Sequence, residues 1–189
     1  GINVIFYYST TLWKSVGFTE SDSFTISLIT SVINVLATIV AVLLIDVLGR
    51  KLLLMIGSGL MTLSLGAMSL AFAQAVTVDG ALSLPGSWGM VALVAANLFV
   101  IGFGATWGPA VWVLLGEIFP NSIRALALGV AASAQWIANF VVSTTFPALA
   151  EAGLALAYGI YAFFALLSLV FVAFMVRETK GRTLEDMTL

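Results

Sequence analysis

Trp107-Gly108-Pro109-Ala110-Val111-Trp112, then Glu117-Ile118-Phe119-Pro120, Arg124, Gln135-Trp136 and Asn139, is the stretch that decides how this chain folds. Amides and indoles stand in the middle of long apolar segments, and the charges are confined to one short loop between them. A membrane span admits polar side chains only at a cost, so these should face a protein interior or a wet cavity rather than lipid. A binding site for a neutral, hydroxyl-rich molecule has this character.

Composition points the same way. The chain has 189 residues, of which 61% are hydrophobic and 8% charged, with a mean hydropathy of +1.15. Soluble domains carry about a quarter charged residues, so a soluble globular fold is excluded. Cysteine and histidine are both absent, which removes disulfides, thiol chemistry, thiolate metal sites and imidazole bases. The net charge of −2 and the lack of a basic block give nucleic acid no footing as a partner. Gly1 falls inside an apolar stretch with no initiating Met or basic leader, and the chain reads as the C-terminal piece of a longer polytopic protein.

Roughly 20 apolar residues suffice to cross a bilayer. Five complete spans are expected, at 23–45, 52–75, 88–115, 125–150 and 154–176, preceded by an apolar segment over 1–16 that is too short to be whole. Charged residues fall between the spans. Arg50, Lys51, Arg124, Arg177, Lys180 and Arg182 all come out on one side, against Lys14 alone on the other. The positive-inside rule makes the basic side, with the C-terminus, cytoplasmic in a multi-pass cell-membrane protein. Pro109 removes a backbone hydrogen bond and predicts a kink or unwound turn. Gly57, Gly59, Ser64 and Gly66 predict a small-residue packing face.

The polar residues at membrane depth are Asn3, Asn34, Asn97, Gln135 and Asn139, with Trp107, Trp112 and Trp136. An amide offers donors and an acceptor without charge, and a flat ring matches the C–H face of a sugar. Gln135 and Asn139 are four apart and share one helix face. The competing reading is interhelical hydrogen bonding, which we prefer for Asn97 alone. On the basic side, Asp46, Arg50, Glu117, Arg124 and Glu178 can pair across helix ends and close that face, or serve simply as anchors. With no nucleophile–base pair, and with the acids in loops, catalysis is set aside.

Taken together, Gly1-Ile2-Asn3 with Tyr7-Tyr8, Asp46-x-x-Gly49-Arg50-Lys51, Trp107-Gly108-Pro109-x-x-Trp112, Glu117-Ile118-Phe119-Pro120-x-x-x-Arg124, Gln135-Trp136-x-x-Asn139-Phe140 and Glu178-Thr179-Lys180-Gly181-Arg182-Thr183-Leu184-Glu185 resemble the sugar porter family of the major facilitator superfamily. The nearest pattern within it is that of the bacterial sugar–proton symporters. The resemblance implies an all-α transmembrane fold: the C-terminal six-helix bundle, helices seven to twelve, with the first helix truncated and the N-terminal six-helix half as a missing partner. It implies monosaccharide contacts from Asn3, Asn34, Trp107, Trp112, Gln135, Trp136 and Asn139. It also implies an extracellular gate at Tyr7 and Tyr8, and a cytoplasmic charge network of Asp46, Arg50, Glu117, Arg124 and Glu178. Two departures are visible. The family's Gln pair would lie upstream of Gly1, and Arg177-Glu178-Thr179 stands where Pro-Glu-Thr is usual.

The expected function is half of an alternating-access monosaccharide carrier, with proton-coupled symport favoured. No cofactor is implied beyond the proton as coupling ion, and the acid that would carry it belongs in this family to helix one, outside this chain. An uncoupled facilitator and a non-transporting sugar sensor on the same fold are the alternatives.

Overall fold

The structure, a computed structural model, describes residues 2–183; Gly1 and the Leu184-Glu185 end of the last motif lie outside the described residues. Five helices among the described residues are long and apolar enough to cross a membrane. In chain order the elements are α1 (Ile2–Tyr7), α2 (Ser9–Ser15), α3 (Glu20–Leu48), α4 (Arg50–Ala73), a hairpin of β1 (Val76–Val78) and β2 (Ala81–Ser83), α5 (Trp88–Gly102), a π-turn (Phe103–Trp107), α6 (Gly108–Ile118), α7 (Arg124–Ala152) and α8 (Leu154–Met175).

Local chemistry sets the ends of these helices. Thr19 accepts the backbone N–H of Asp22 at 3.1 Å and opens α3, with Glu20 and Asp22 placed in its first turn against the positive end of the helix. Gly49, at φ 87°, ends α3 and lets α4 turn back at once. Of the segment expected over 1–16, the described residues form two short helices, because Tyr8 leaves helical geometry (φ −113°, ψ 13°).

The expected break at Pro109 takes the form of a π-turn one turn upstream, which runs on into α6 with Pro109 in its first turn. A wider turn absorbs the hydrogen bond that proline cannot give without unwinding the span. The π-turn packs on α4 through Gly57, where any Cβ would fall inside the Thr106 side chain. On its other side Gly104 lies against α3: a Cβ there would stand 2.9 Å from Asn34 Oδ1 and 3.0 Å from Ala37 Cβ. The small-residue face is therefore shorter than expected. Gly57 and the buried Ser64 belong to it, whereas Gly59 and Gly66 open on nothing within 4 Å and contribute no contact.

Two hydrophobic clusters fill the bundle. One lies toward the acidic end around Val4, Trp13, Phe72, Phe99, Phe146 and Tyr158; the other lies toward the basic end around Ile45, Leu53, Leu54, Leu114 and Val172. Trp107 packs against both. The hairpin at the acidic end was not expected from the spans. Asp79 (φ 51°) and Gly80 (φ 81°) form its two-residue turn, and Val76↔Ser83, Thr77↔Leu82 and Val78↔Ala81 pair in register. Positive φ at both turn residues matches the twist of a tight hairpin.

Candidate functional site

α1 and α7 meet at an amide pair. Asn3 Nδ2 donates to Asn139 Oδ1 across 136 residues of sequence. One turn before Asn139, Gln135 lies on the same face, and Ile2, Asn3, Gln135, Ala138, Asn139 and Val142 line a cavity of ≈ 200 Å³. Among the described residues no charged side chain lines it. Hydroxyl-bearing neutral ligands suit such a lining, since amides supply donors and acceptors without the desolvation cost of an ion. Tyr8, between α1 and α2, is fastened to α7 further along: its hydroxyl donates to Ser143 O at 2.7 Å, and its ring lies 5.0 Å from that of Phe146. Tyr7 points away and is 59% exposed.

The remaining residues expected around a ligand are placed differently. Trp136 does not line the amide cavity and is 61% exposed. One residue on from Gln135 it is turned about 100° around the helix, so adjacency in sequence does not bring it beside the amides. Asn34 sits on α3 against Gly104, and Trp112 sits on α6, 42% exposed; neither lines the amide cavity. Trp107 is an anchor in this structure. Its indole N–H donates to Ser58 Oγ at 2.9 Å and Leu54 O at 3.1 Å, and Ser58 in turn shares a hydrogen bond with Ser168. Its ring faces two larger cavities of ≈ 610 and ≈ 740 Å³, both lined mostly by apolar residues. Asn97 binds Thr30 Oγ1 and Leu93 O, as expected of an interhelical tie.

At the basic end the charges converge on Arg50. Its Nε and Nη2 bind Glu117 Oε2 and Oε1 at 3.0 and 2.7 Å, and Nη1 binds Asp46 Oδ1 at 2.9 Å. Thr179 Oγ1 donates to Glu117 as well. Glu178 takes another role from a paired acid. Its carboxylate accepts the backbone N–H groups of Arg50 and Lys51 at 2.9 and 3.0 Å, together with those of Thr179 and Lys180. It thus caps the N-terminus of α4 from 128 residues away, where the helix dipole favours an anion. Partial burial alone would raise its pKa. The four N–H groups outweigh that effect and hold the carboxyl below the usual value. Lys180 Nζ completes the strap by donating to Val47 O at 2.6 Å.

Arg124 stands outside this network, contrary to expectation. It binds Asn121 Oδ1 and, at 2.9 Å, Phe119 O. The tight 119–123 turn brings its own carbonyl and amide within reach before any carboxylate on another helix. Thr179, which sequence reasoning passed over, occupies a corner of the network instead. A hydroxyl directly after an acid carries no signal by itself; only the chain reversal after α8 places it.

The family model described as sugar (and other) transporter matches residues 1–189. The chain is 57% identical over 188 residues to the glucose transport protein of Synechocystis sp., covering 99% of this chain and 40% of that protein. It is 37% identical to the D-xylose-proton symporter of Escherichia coli K12, covering 99% of this chain and 37% of that one. Among solved structures it resembles the major facilitator superfamily proton:xylose symporter XylE bound to 6-bromo-6-deoxy-D-glucose, with a TM-score of 0.83 and 36% identity over 99% of this chain and 38% of that chain. The chain thus spans about two fifths of the length of the relatives it matches.

Proposed function

The chain belongs to the sugar transporter family and has the major facilitator fold, and on that premise we propose that it is the C-terminal half of an alternating-access monosaccharide carrier working by proton-coupled symport. The observation that carries this reading is the uncharged cavity closed by Asn3, Gln135 and Asn139 at the meeting of α1 and α7. At ≈ 200 Å³ it is smaller than the roughly 300–1,000 Å³ of complete small-molecule sites, as one wall of a two-walled site would be. The second wall would come from a six-helix N-terminal half, and Asn34, Trp112 and Trp136 would contact sugar only when that half is in place. Trp107 would contribute its ring face, its N–H being held by α4.

The basic end would be cytoplasmic by the positive-inside rule. There the Arg50–Glu117–Asp46 cluster and the Glu178 cap lock α3, α4, α6 and the segment after α8 together. Rocking of the two halves around a midplane site would move this locked end as a block. At the other face Tyr7 is exposed, while Tyr8 is held by α7. Proton coupling is supported by the kinship with a D-xylose-proton symporter.

External pH recorded while sugar is added to de-energised cells expressing the complete protein tests the reading. Alkalinisation together with uptake supports symport. Uptake without a pH change makes the protein a facilitator, and sugar binding without uptake makes it a sensor.

A further inference from the structure

We propose that the groove between α6 and α8 holds an acyl chain of an anionic phospholipid, whose phosphate sits on Arg177. The groove has a volume of ≈ 740 Å³ and runs from Leu54 and Trp107 inside the bundle, past Leu115 and Phe171, to Pro120 and Arg177 at the basic end. Its wall from Trp107 to Ile118 covers roughly 16 Å of helix. Among the described residues Arg177 is the one charged residue in its lining, and the rest of the lining is apolar. A slot of that length, apolar inside and basic at its mouth, matches the two-part chemistry of a lipid with a negative headgroup.

Charge complementarity selects the anion. Asp46 and Glu117 are bound to Arg50, and Glu178 accepts four backbone N–H groups, so the described acids at this end are all engaged. Arg177 is exposed and has no hydrogen bond or ion pair from its side chain among the described residues. Ile123, also in the lining, is followed by Arg124. The Nη atoms of Arg124 bind only the uncharged Asn121 side chain and Phe119 O, and its buried Nε has no partner among the described residues. Two cations without a carboxylate thus flank one mouth. A guanidinium matches phosphate geometry, and basic pockets between membrane helices at the cytoplasmic surface bind acidic headgroups. Arg177 comes directly after the end of α8, at the depth where headgroups lie, and the positive-inside rule makes that leaflet the cytoplasmic one.

The N-terminal half of the carrier is a poorer occupant. It has to close on the amide cavity, which α1 and α7 line, and no residue lines both that cavity and the groove. Phe171 and Met175, also in the groove lining, are exposed, as apolar side chains that face lipid are. The lipid site does not depend on the sugar reading: a protein that moved no sugar would show the same lipid preference.

Native mass spectrometry of the complete protein, titrated with phosphatidylglycerol against phosphatidylcholine of identical chains, tests the site. Wild type is expected to bind phosphatidylglycerol in preference. Arg177→Gln is expected to weaken that binding roughly tenfold, the size of one lost charge-assisted hydrogen bond, and to leave phosphatidylcholine unaffected. Arg177→Pro repeats the test with a different backbone, because Val176 is already extended (φ −86°, ψ 131°), as a residue before proline has to be. Leu115→Trp crowds the groove, keeps the cation, and is expected to weaken phosphatidylglycerol binding as well. Equal binding of the two lipids, or a preference that survives both Arg177 variants, would overturn the proposal. Undiminished binding in Leu115→Trp would overturn the groove as its seat and leave it to whatever part of the complete protein covers it. Displacement of the lipid by millimolar inorganic phosphate would reduce the site to a free-anion site and overturn it too.

Discussion

Arg50 holds Glu117 with two arms of one guanidinium, Nε at 3.0 Å and Nη2 at 2.7 Å, and so joins the first turn of α4 to the last turn of α6. Both side chains are mostly withdrawn from solvent, at 11% and 27% exposure. A forked, partly buried pair of this kind is stronger and more directional than a surface ion pair.

Lysine cannot reproduce the fork. Arg50→Lys should therefore cost about 1–3 kcal/mol at the basic end and raise the population open on that face. Arg124→Ala, which breaks only contacts within its own turn, should shift accessibility far less. Thiol labelling of single cysteines placed at the basic end reads both, and this chain contributes no cysteine of its own to the background. An equal shift in the two variants would dissolve the distinction between them.

Glu178 predicts a pH dependence. Its folded pKa lies below the ordinary carboxylate value of 4.5, so its contribution to stability is fully present above that value and is lost as pH falls through the lower folded one. Thermal unfolding of Glu178→Ala and wild type should differ at pH 7, and the gap should narrow as pH drops below about 4.5. A gap that stays constant down to pH 3 would mean that the cap does not need the charge.

Two glycines on one helix give opposite expectations. Gly57→Ala drives a methyl into Thr106 and should destabilise by about 1–3 kcal/mol. Gly59→Ala meets nothing within 4 Å and should be neutral or stabilising, by up to about 1 kcal/mol from helix propensity. Melting in detergent compares them, and a Gly57→Ala protein as stable as wild type would show that the π-turn does not pack on α4 as described.

Gln135→Ala and Asn139→Ala should each weaken sugar binding, by about 1–3 kcal/mol, without abolishing folding. Affinity unchanged in both would remove these amides from the site.

How much of this could be read in advance depends on the range of the interaction. Spans are properties of about 20 consecutive residues, and the structure's long helices lie where the apolar runs do. The Gln135–Asn139 face follows from helix periodicity, but its partner Asn3 is 136 residues away from Asn139, and only packing brings α1 to α7. Glu178 was visible as an acid near bases, yet its partners are backbone N–H groups, which no side-chain pattern announces. Arg124 failed in the opposite way: a local turn engages both of its Nη atoms first, and its buried Nε is left without a partner among the described residues. The Asp79-Gly80 dipeptide between Val76-Thr77-Val78 and Ala81-Leu82-Ser83 is a hairpin signal, but one of six flanking residues beside apolar runs of about 20.

Radiolabelled sugar counterflow tests the central claim most directly, in liposomes holding the complete protein, with glucose, galactose and xylose in turn and with a proton uncoupler. The account predicts saturable counterflow with at least one of these sugars, insensitive to the uncoupler, and gradient-driven uptake that the uncoupler abolishes. No counterflow with any of them, from protein shown to be folded, would contradict it.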